Sequence, residues 1–164
     1  MTPPAESRPP ALRKSVLLKS VLQPSALRTS VPRTIGRLLL GAFLLLAGIS
    51  HLTVSRVAFR AQVPPWLPLD TDFVVVASGI VEITLGLALV LLARRRVLVG
   101  LVVAVFFLLI LPGNISQLVT QTDSFGLNSD LSRGIRLLFQ PILVIWALWS
   151  TGAWKAIRAS RSPG

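Results

Sequence analysis

The sequence contains no cysteine. A disulfide, a thiolate metal site and a dithiol redox relay are therefore excluded. It has a single histidine, His51, so neither bis-histidine haem ligation nor a histidine-rich metal centre can form within one chain. No metal site is expected. Acids are scarce as well: 6 Asp and Glu stand against 17 Lys and Arg among 164 residues, a net charge of +11. Charged residues of all kinds reach only 14%, where a soluble domain carries about 25%. Hydrophobic residues make up 52%, the opposite of the composition that keeps a chain disordered. One surface cannot be strongly apolar and strongly basic at once, so the two properties must be separated along the chain.

What is present is four long apolar runs, over residues 35–54, 73–93, 97–120 and 134–154. Crossing a hydrocarbon core of about 30 Å takes roughly 20 such residues as a helix. Buried helices of a soluble bundle rarely keep every face apolar. The expected fold is all-α, a membrane bundle of four transmembrane helices. The positive charge alternates with each crossing. Arg8, Arg13, Lys14, Lys19, Arg28, Arg33 and Arg37 lie at the first span, Arg94, Arg95 and Arg96 between the second and third, and Lys155, Arg158 and Arg161 after the fourth. Between the other ends lie Arg56, Arg60, Arg133 and Arg136 with Asp70, Asp72, Asp123 and Asp130. Lys and Arg concentrate on the cytoplasmic side. The expectation is therefore a multi-pass cell-membrane protein with both termini cytoplasmic. The basic residues follow the crossings and are not interleaved with aromatics, which excludes a nucleic-acid binder.

Three regions are expected. Residues 1–34 read as a flexible basic tail, 35–154 as the transmembrane domain and 155–164 as a short basic tail. Both tails would be drawn to anionic lipid headgroups. No signal peptide is expected in the first tail, although a transit peptide or a wrongly chosen start codon would also explain it. Residues 93–96 make a tight turn, which pairs spans two and three as an antiparallel hairpin. The loop 55–72 contains VPPWLP (63–68), which cannot continue a helix and is expected to fold back over the bundle mouth. Gly126 and Asn128 read as turn formers in the loop 121–131. Trp146, Trp149 and Trp154 read as an interfacial belt.

Polar side chains at membrane depth are costly and face the bundle interior, so they are the site candidates. Each span carries a polar or small stripe at helical spacing. The stripes are Gly41, Gly48 and His51; Gly79, Glu82 and Gly86; Asn114, Gln117 and Gln121; and Arg133, Arg136, Gln140 and Ala147. Gly41, Gly48, Gly79 and Gly86 would let helices approach closely. At about 1.5 Å rise per residue, Glu82 falls near the midplane, while the other polar residues lie closer to the outer end. The inner halves of all four runs are almost purely aliphatic or Phe. The expected shape is a funnel opening outward, ending at Glu82 above a dry plug. A carboxylate there needs a counter-charge or a proton, and Arg136 is the first candidate, His51 the second. Pro112 and Pro141 are expected to release backbone carbonyls near the same cluster. The alternative is structural: a hydrogen-bonded cluster that fixes helix register.

These stretches resemble the DoxX-like family of small four-helix membrane proteins. The likeness rests on LLLGAFLLLAGISHL (38–52), RVAFRAQVPPWLP (56–68), SGIVEITLGLALVL (78–91), LPGNISQL (111–118) and RLLFQPILVIWALW (136–149). In order, these carry the His ending span one, the Val-Pro…Leu-Pro loop, the Gly-x-x-Glu of span two and the Pro-x-Asn of span three. Where the family tends to show Arg-x-Pro-x-Gln in span four, Arg136 and Gln140 keep the spacing and Leu138 replaces the Pro. The resemblance implies an accessory or small subunit of a membrane redox system linked to quinone, with a membrane oxidoreductase partner. It also implies a bundle like that of vitamin K epoxide reductase-like proteins, whose dithiol chemistry a cysteine-free chain cannot perform. No cofactor is encoded; a quinone is the one the resemblance suggests. The alternatives are a binding or transport module for a small lipophilic molecule and a structural partner without activity of its own. The candidate site is Glu82, His51, Arg136, Gln140, Asn114 and Gln117.

Overall fold

The structure, a computed structural model, describes residues 29–123 and 129–161, and all regular structure among them is helical. Helix α1 (Val31–Leu52) opens on Pro32, whose fixed φ and missing N–H suit a first turn. A single turn α2 (Arg56–Phe59) and a 3-10 turn (Arg60–Gln62) follow. Helix α3 (Thr71–Leu91) is capped by Asp70, whose carboxylate accepts from the Phe73 amide at 2.8 Å. A second acid, Asp72, stands in its first turn, where it complements the helix dipole. The 3-10 turn Ala93–Arg95 leads directly into α4 (Arg96–Val119), and α5 (Asp130–Thr151) follows.

Four of these segments, Val31–Leu52, Thr71–Leu91, Ala93–Val119 and Gly134–Thr151, are long and apolar enough to cross a membrane. Their outward faces agree: Leu46, Leu91 and Leu109 are 70%, 70% and 72% exposed, which water would penalise and hydrocarbon would not. The observed helices begin a few residues earlier than the apolar runs, because polar caps and charged first turns lie outside the runs themselves.

The fourth run departs most from expectation. Instead of continuing to residue 154, α5 stops at Thr151, and Gly152 takes φ +79°, a left-handed conformation that glycine adopts without strain. A separate helix α6 (Ala153–Arg161) then follows and takes in most of the basic stretch expected from residue 155. Its Ala153 is fully buried, and Arg158 sits over the Trp154 ring at 5.3 Å. The expected features of residues 1–28, the turn at Gly126 and Asn128, and the side chain of Arg133 lie outside the described residues.

The helices pack as two pairs. In the first, α1 and α3 approach until their backbones meet. A Cβ on Gly48 would stand 2.6 Å from the Gly79 carbonyl oxygen, and one on Gly79 would stand 3.0 Å from the Gly48 oxygen. Gly41 and Gly86 repeat this two turns away, at 3.1 Å and 2.8 Å. The four glycines expected to mediate packing thus form one seam between two helices, where small residues allow close contact. In the second pair α4 packs along α5, with Gly100 against Thr151. The hairpin partners α3 and α4 touch little beyond their turn.

The pairs converge at the end that holds the α3–α4 turn, called here the turn end. There Gly36 faces Trp149 and Trp146 closely enough that a Cβ would lie 2.8 Å from the Trp149 ring. A core of Leu40, Leu44, Leu85, Leu89, Val103, Phe107 and Ala147 fills the turn half. Arg37 lies buried beside it. Its Nη1 donates to the carbonyls of Leu89 and Val90, two of the last carbonyls of α3 that have no amide of their own helix to accept from. At the opposite, loop end the pairs separate.

Candidate functional site

The space between the separated pairs is a cavity of about 1060 Å³. Its floor is the aliphatic core. Its walls come from all four long helices, and its roof is the segment after α1. Phe59, Gln62, Val63, Pro64, Trp66 and Leu67 of that segment all line it. The loop containing VPPWLP therefore folds over the mouth. Arg56 and Arg60 tie it down by donating to the Asp72 carboxylate, Arg60 at 2.7 Å. Those bonds raise the Arg56 pKa above its ordinary value, the Asp72 hydrogen bond contributing most.

Five of the six candidate residues line this cavity: His51, Glu82, Asn114, Arg136 and Gln140. Apart from Arg136, each is at least nine-tenths buried. The stripe logic explains why. Each polar residue shares a helical face with the small residues that let its helix turn inward. His51 and Glu82 sit at the loop-side end of the glycine seam, and the Cβ that Gly79 lacks would touch the His51 Cβ at 2.9 Å.

His51 Nδ1 lies 2.9 Å from the Ala47 carbonyl and 3.0 Å from Glu82 Oε2. A carbonyl only accepts, so Nδ1 carries the proton and its N–H points at Ala47. The approach to Oε2 has the distance of an ion pair without the direction of a hydrogen bond. Glu82 Oε2 is consequently buried with no hydrogen-bond partner. Phe59 stacks on the imidazole, ring centres 3.4 Å apart and planes at 14°. This holds the ring edge toward α3. Gln140 on α5 is buried in the same way, with Oε1 lacking a hydrogen-bond partner.

Arg136, first in the sequence reading as counter-charge to Glu82, is held elsewhere. It donates to Gln117 Oε1 at 3.2 Å. Turned so that its oxygen faces the guanidinium, the Gln62 amide also accepts from both Nη atoms at 3.1 Å. Among the described residues the nitrogen within ion-pair distance of Glu82 is that of His51. Arg136 sits within about a turn of the start of the apolar part of α5, under the roof that supplies Gln62. Gln117 does not line the cavity. It positions Arg136 and anchors the end of α4 by donating to the Thr122 carbonyl at 3.3 Å.

Two contributors escaped sequence reasoning. Gln62 and Phe59 belong to a loop, and no periodicity links them to Arg136 or His51. The signal that was available is Gly113: a Cβ there would lie 2.5 Å from the Gln62 carbonyl oxygen, so the roof rests directly on α4 at a position that admits only glycine. Gly113→Val is expected to lift the roof and release Gln62 from Arg136. Limited proteolysis should then cut between residues 55 and 70 several times faster, while the far-ultraviolet circular dichroism stays unchanged. Equal cutting would mean the roof is not seated on α4. Pro112, beside it, lines the cavity, and with Pro141 it removes an amide that would have bonded the Leu108 or Leu137 carbonyl.

Four helices fit to cross a membrane and a roofed cavity with converging polar groups define the class: a helical bundle with the build of a multi-pass membrane protein. Within it, the chain belongs to the family described as Domain of unknown function (DUF8561), whose match covers residues 40–151 and all six candidate residues. No curated protein and no solved structure matches it.

Proposed function

We propose that the protein is a cell-membrane protein with both termini cytoplasmic, and that its roofed cavity binds a quinone-like lipophilic molecule. In this reading it serves as a small DoxX-type subunit of a membrane redox system. One observation carries it: an apolar cavity of drug-ligand size into which His51, Glu82, Arg136, Gln140 and Asn114 converge. Ligand pockets are typically about 300–1,000 Å³, mostly apolar with a few placed polar groups. A quinone ring asks for that combination, apolar walls with hydrogen-bonding groups at its oxygens. The order of motifs shared with the DoxX-like family points the same way. In this reading a partner oxidoreductase would supply the electron carrier, and the cavity would hold the quinone for it. The distribution of Lys and Arg supports a roof that faces outward.

Purified protein in lipid nanodiscs should bind a decyl-tailed benzoquinone or its hydroquinone, read through tryptophan fluorescence, since Trp66 lines the site. Glu82→Gln keeps the side-chain shape and exchanges one carboxyl oxygen for an amide nitrogen. It should weaken binding about tenfold, the value of one hydrogen bond at a buried site, with little change in melting temperature. If neither redox form binds, or if Glu82→Gln costs stability and leaves affinity untouched, the site is a structural cluster.

A further inference from the structure

Two details of the cavity say more than its volume, and both concern what is missing from its polar groups. Glu82 and Gln140 stand on different helix pairs, both line the cavity and both are about 95% buried, at 6% and 5% exposure. The orphaned atom is an oxygen in each case, Oε2 of Glu82 and Oε1 of Gln140. A buried acceptor without a donor costs about 1–3 kcal/mol, so the pair is tuned to something that brings donors.

The second detail is where the cavity is closed. Toward the loop end it is roofed by residues 59–67, held by the Asp72 ion pairs and seated on Gly113. Toward the sides it is bounded by apolar side chains that are themselves exposed: Phe43 at 47%, Val81 at 41%, Leu109 at 72% and Phe139 at 56%. These residues lie in the middle stretches of helices fit to cross a membrane, where a bilayer would set hydrocarbon against them. The gaps follow from the packing. Within each pair the helices are in contact along their length, whereas α3 and α4 part beyond their turn.

We propose that the cavity takes up a membrane-dissolved amphiphile sideways from the bilayer, with a head bearing two hydrogen-bond donors seated between Glu82 Oε2 and Gln140 Oε1. The tail stays among the exposed apolar side chains of the walls. This rests on the ligand-binding reading above and narrows it: of a quinone couple the dihydroxy, reduced form is the one that fits, because its two hydroxyls can donate where the quinone's two carbonyls can only accept. Arg136 and the Gln62 amide, under the roof, close the head off from water.

The experiment uses the full chain in nanodiscs, kept anaerobic, with decyl-tailed benzohydroquinone, the matching benzoquinone and tail-less benzohydroquinone as probes. The tailed hydroquinone should bind about tenfold more tightly than the quinone, the difference between a satisfied and an unsatisfied buried acceptor. Gln140→Leu should remove most of that preference while leaving the melting temperature within a few degrees. Tail-less hydroquinone should not compete at equal concentration. The double variant Val81→Trp/Phe139→Trp fills both sides at exposed positions and should slow association about tenfold, within the range over which single-interface variants alter on-rates. Arg60→Gln, which loosens the roof's tether to Asp72 without touching the cavity lining, should not change it. Equal affinity for the two redox forms overturns the donor requirement while leaving ligand binding intact. Association that slows on neither side, or competition by the tail-less probe, overturns lateral access. Failure of every probe to bind removes the underlying function as well as this inference.

Discussion

Gly48→Leu should cost about 3 kcal/mol or more, the upper range for overpacking a well-packed contact. For a domain of this size that is a fall in melting temperature on the order of 10 °C. The reason is the nature of the neighbours. A Cβ at position 48 meets the Gly79 carbonyl oxygen at 2.6 Å, the Ile83 Cγ1 at 2.8 Å and the Ile83 amide at 2.9 Å. Two of the three are backbone, which cannot swing aside as a side-chain end can. Removing a glycine from a helix gains about 1 kcal/mol in intrinsic propensity, so the clash must outweigh that gain to give the expected sign. Gly134 provides the control. It lies in α5 with nothing within 4 Å of its missing Cβ, so Gly134→Ala should show the propensity gain alone and melt slightly higher. Thermal unfolding of the purified protein, followed by circular dichroism, reads both. A Gly48→Leu protein that melts like the parent would mean the α1–α3 seam does not hold the bundle.

Arg37→Met should destabilise by about 2 kcal/mol. Two effects oppose each other here. Burying a guanidinium is unfavourable, and replacing it by an apolar chain relieves that. Against this, Arg37 donates to the carbonyls of Leu89 and Val90 at the end of α3, where no further turn of helix can supply an amide. Leu89 is 1% exposed, so water does not take over the role easily. The loss of a donor to one buried and one half-buried carbonyl wins. Arg37→Lys should recover part of the loss, since an ammonium keeps the charge without the planar fork. Amide exchange should accelerate in the last turn of α3 for the Met variant and remain slow in its first turn. Uniform acceleration along α3 would point to a global effect instead of a lost cap.

The spans were legible because hydrocarbon imposes a crude requirement, a run of apolar residues of fixed length, and the chain meets it four times. The glycine seam was legible for a similar reason: Gly41, Gly48, Gly79 and Gly86 fall at helical spacing, and a missing side chain has few uses within a span. The stripes also picked out five of the residues that line the cavity, since a polar residue at depth has only the interior to face. What they could not convey was pairing. Periodicity fixes which face Arg136 occupies and not how far its guanidinium reaches, so the choice between Arg136 and His51 beside Glu82 depended on helix offsets of a few ångströms. Gln62 and Phe59 were hidden for a different reason. They belong to a roof whose position follows from Gly113 and the Asp72 ion pairs, contacts between segments far apart in sequence. The break at Gly152 was missed because Trp154 extends the apolar run past the point where the backbone turns.

The two helix pairs meet closely at Gly36 and Trp149 and stand apart at the other end. That arrangement has the geometry of a lever with its fulcrum at the turn end and its far ends bridged by the roof, which rests on Gly113 and is tied to Asp72. A helix of 22 residues such as α1 is about 33 Å long, so a change of about 5° in the angle between the pairs displaces the far end by about 3 Å, roughly the thickness of an aromatic ring. The glycine seam joins α1 and α3 into one arm, and the α4–α5 contact joins the other. In a bilayer, thickness and lateral pressure would act on the arms along their whole length, and the width of the jaw would then depend on the membrane as well as on the protein.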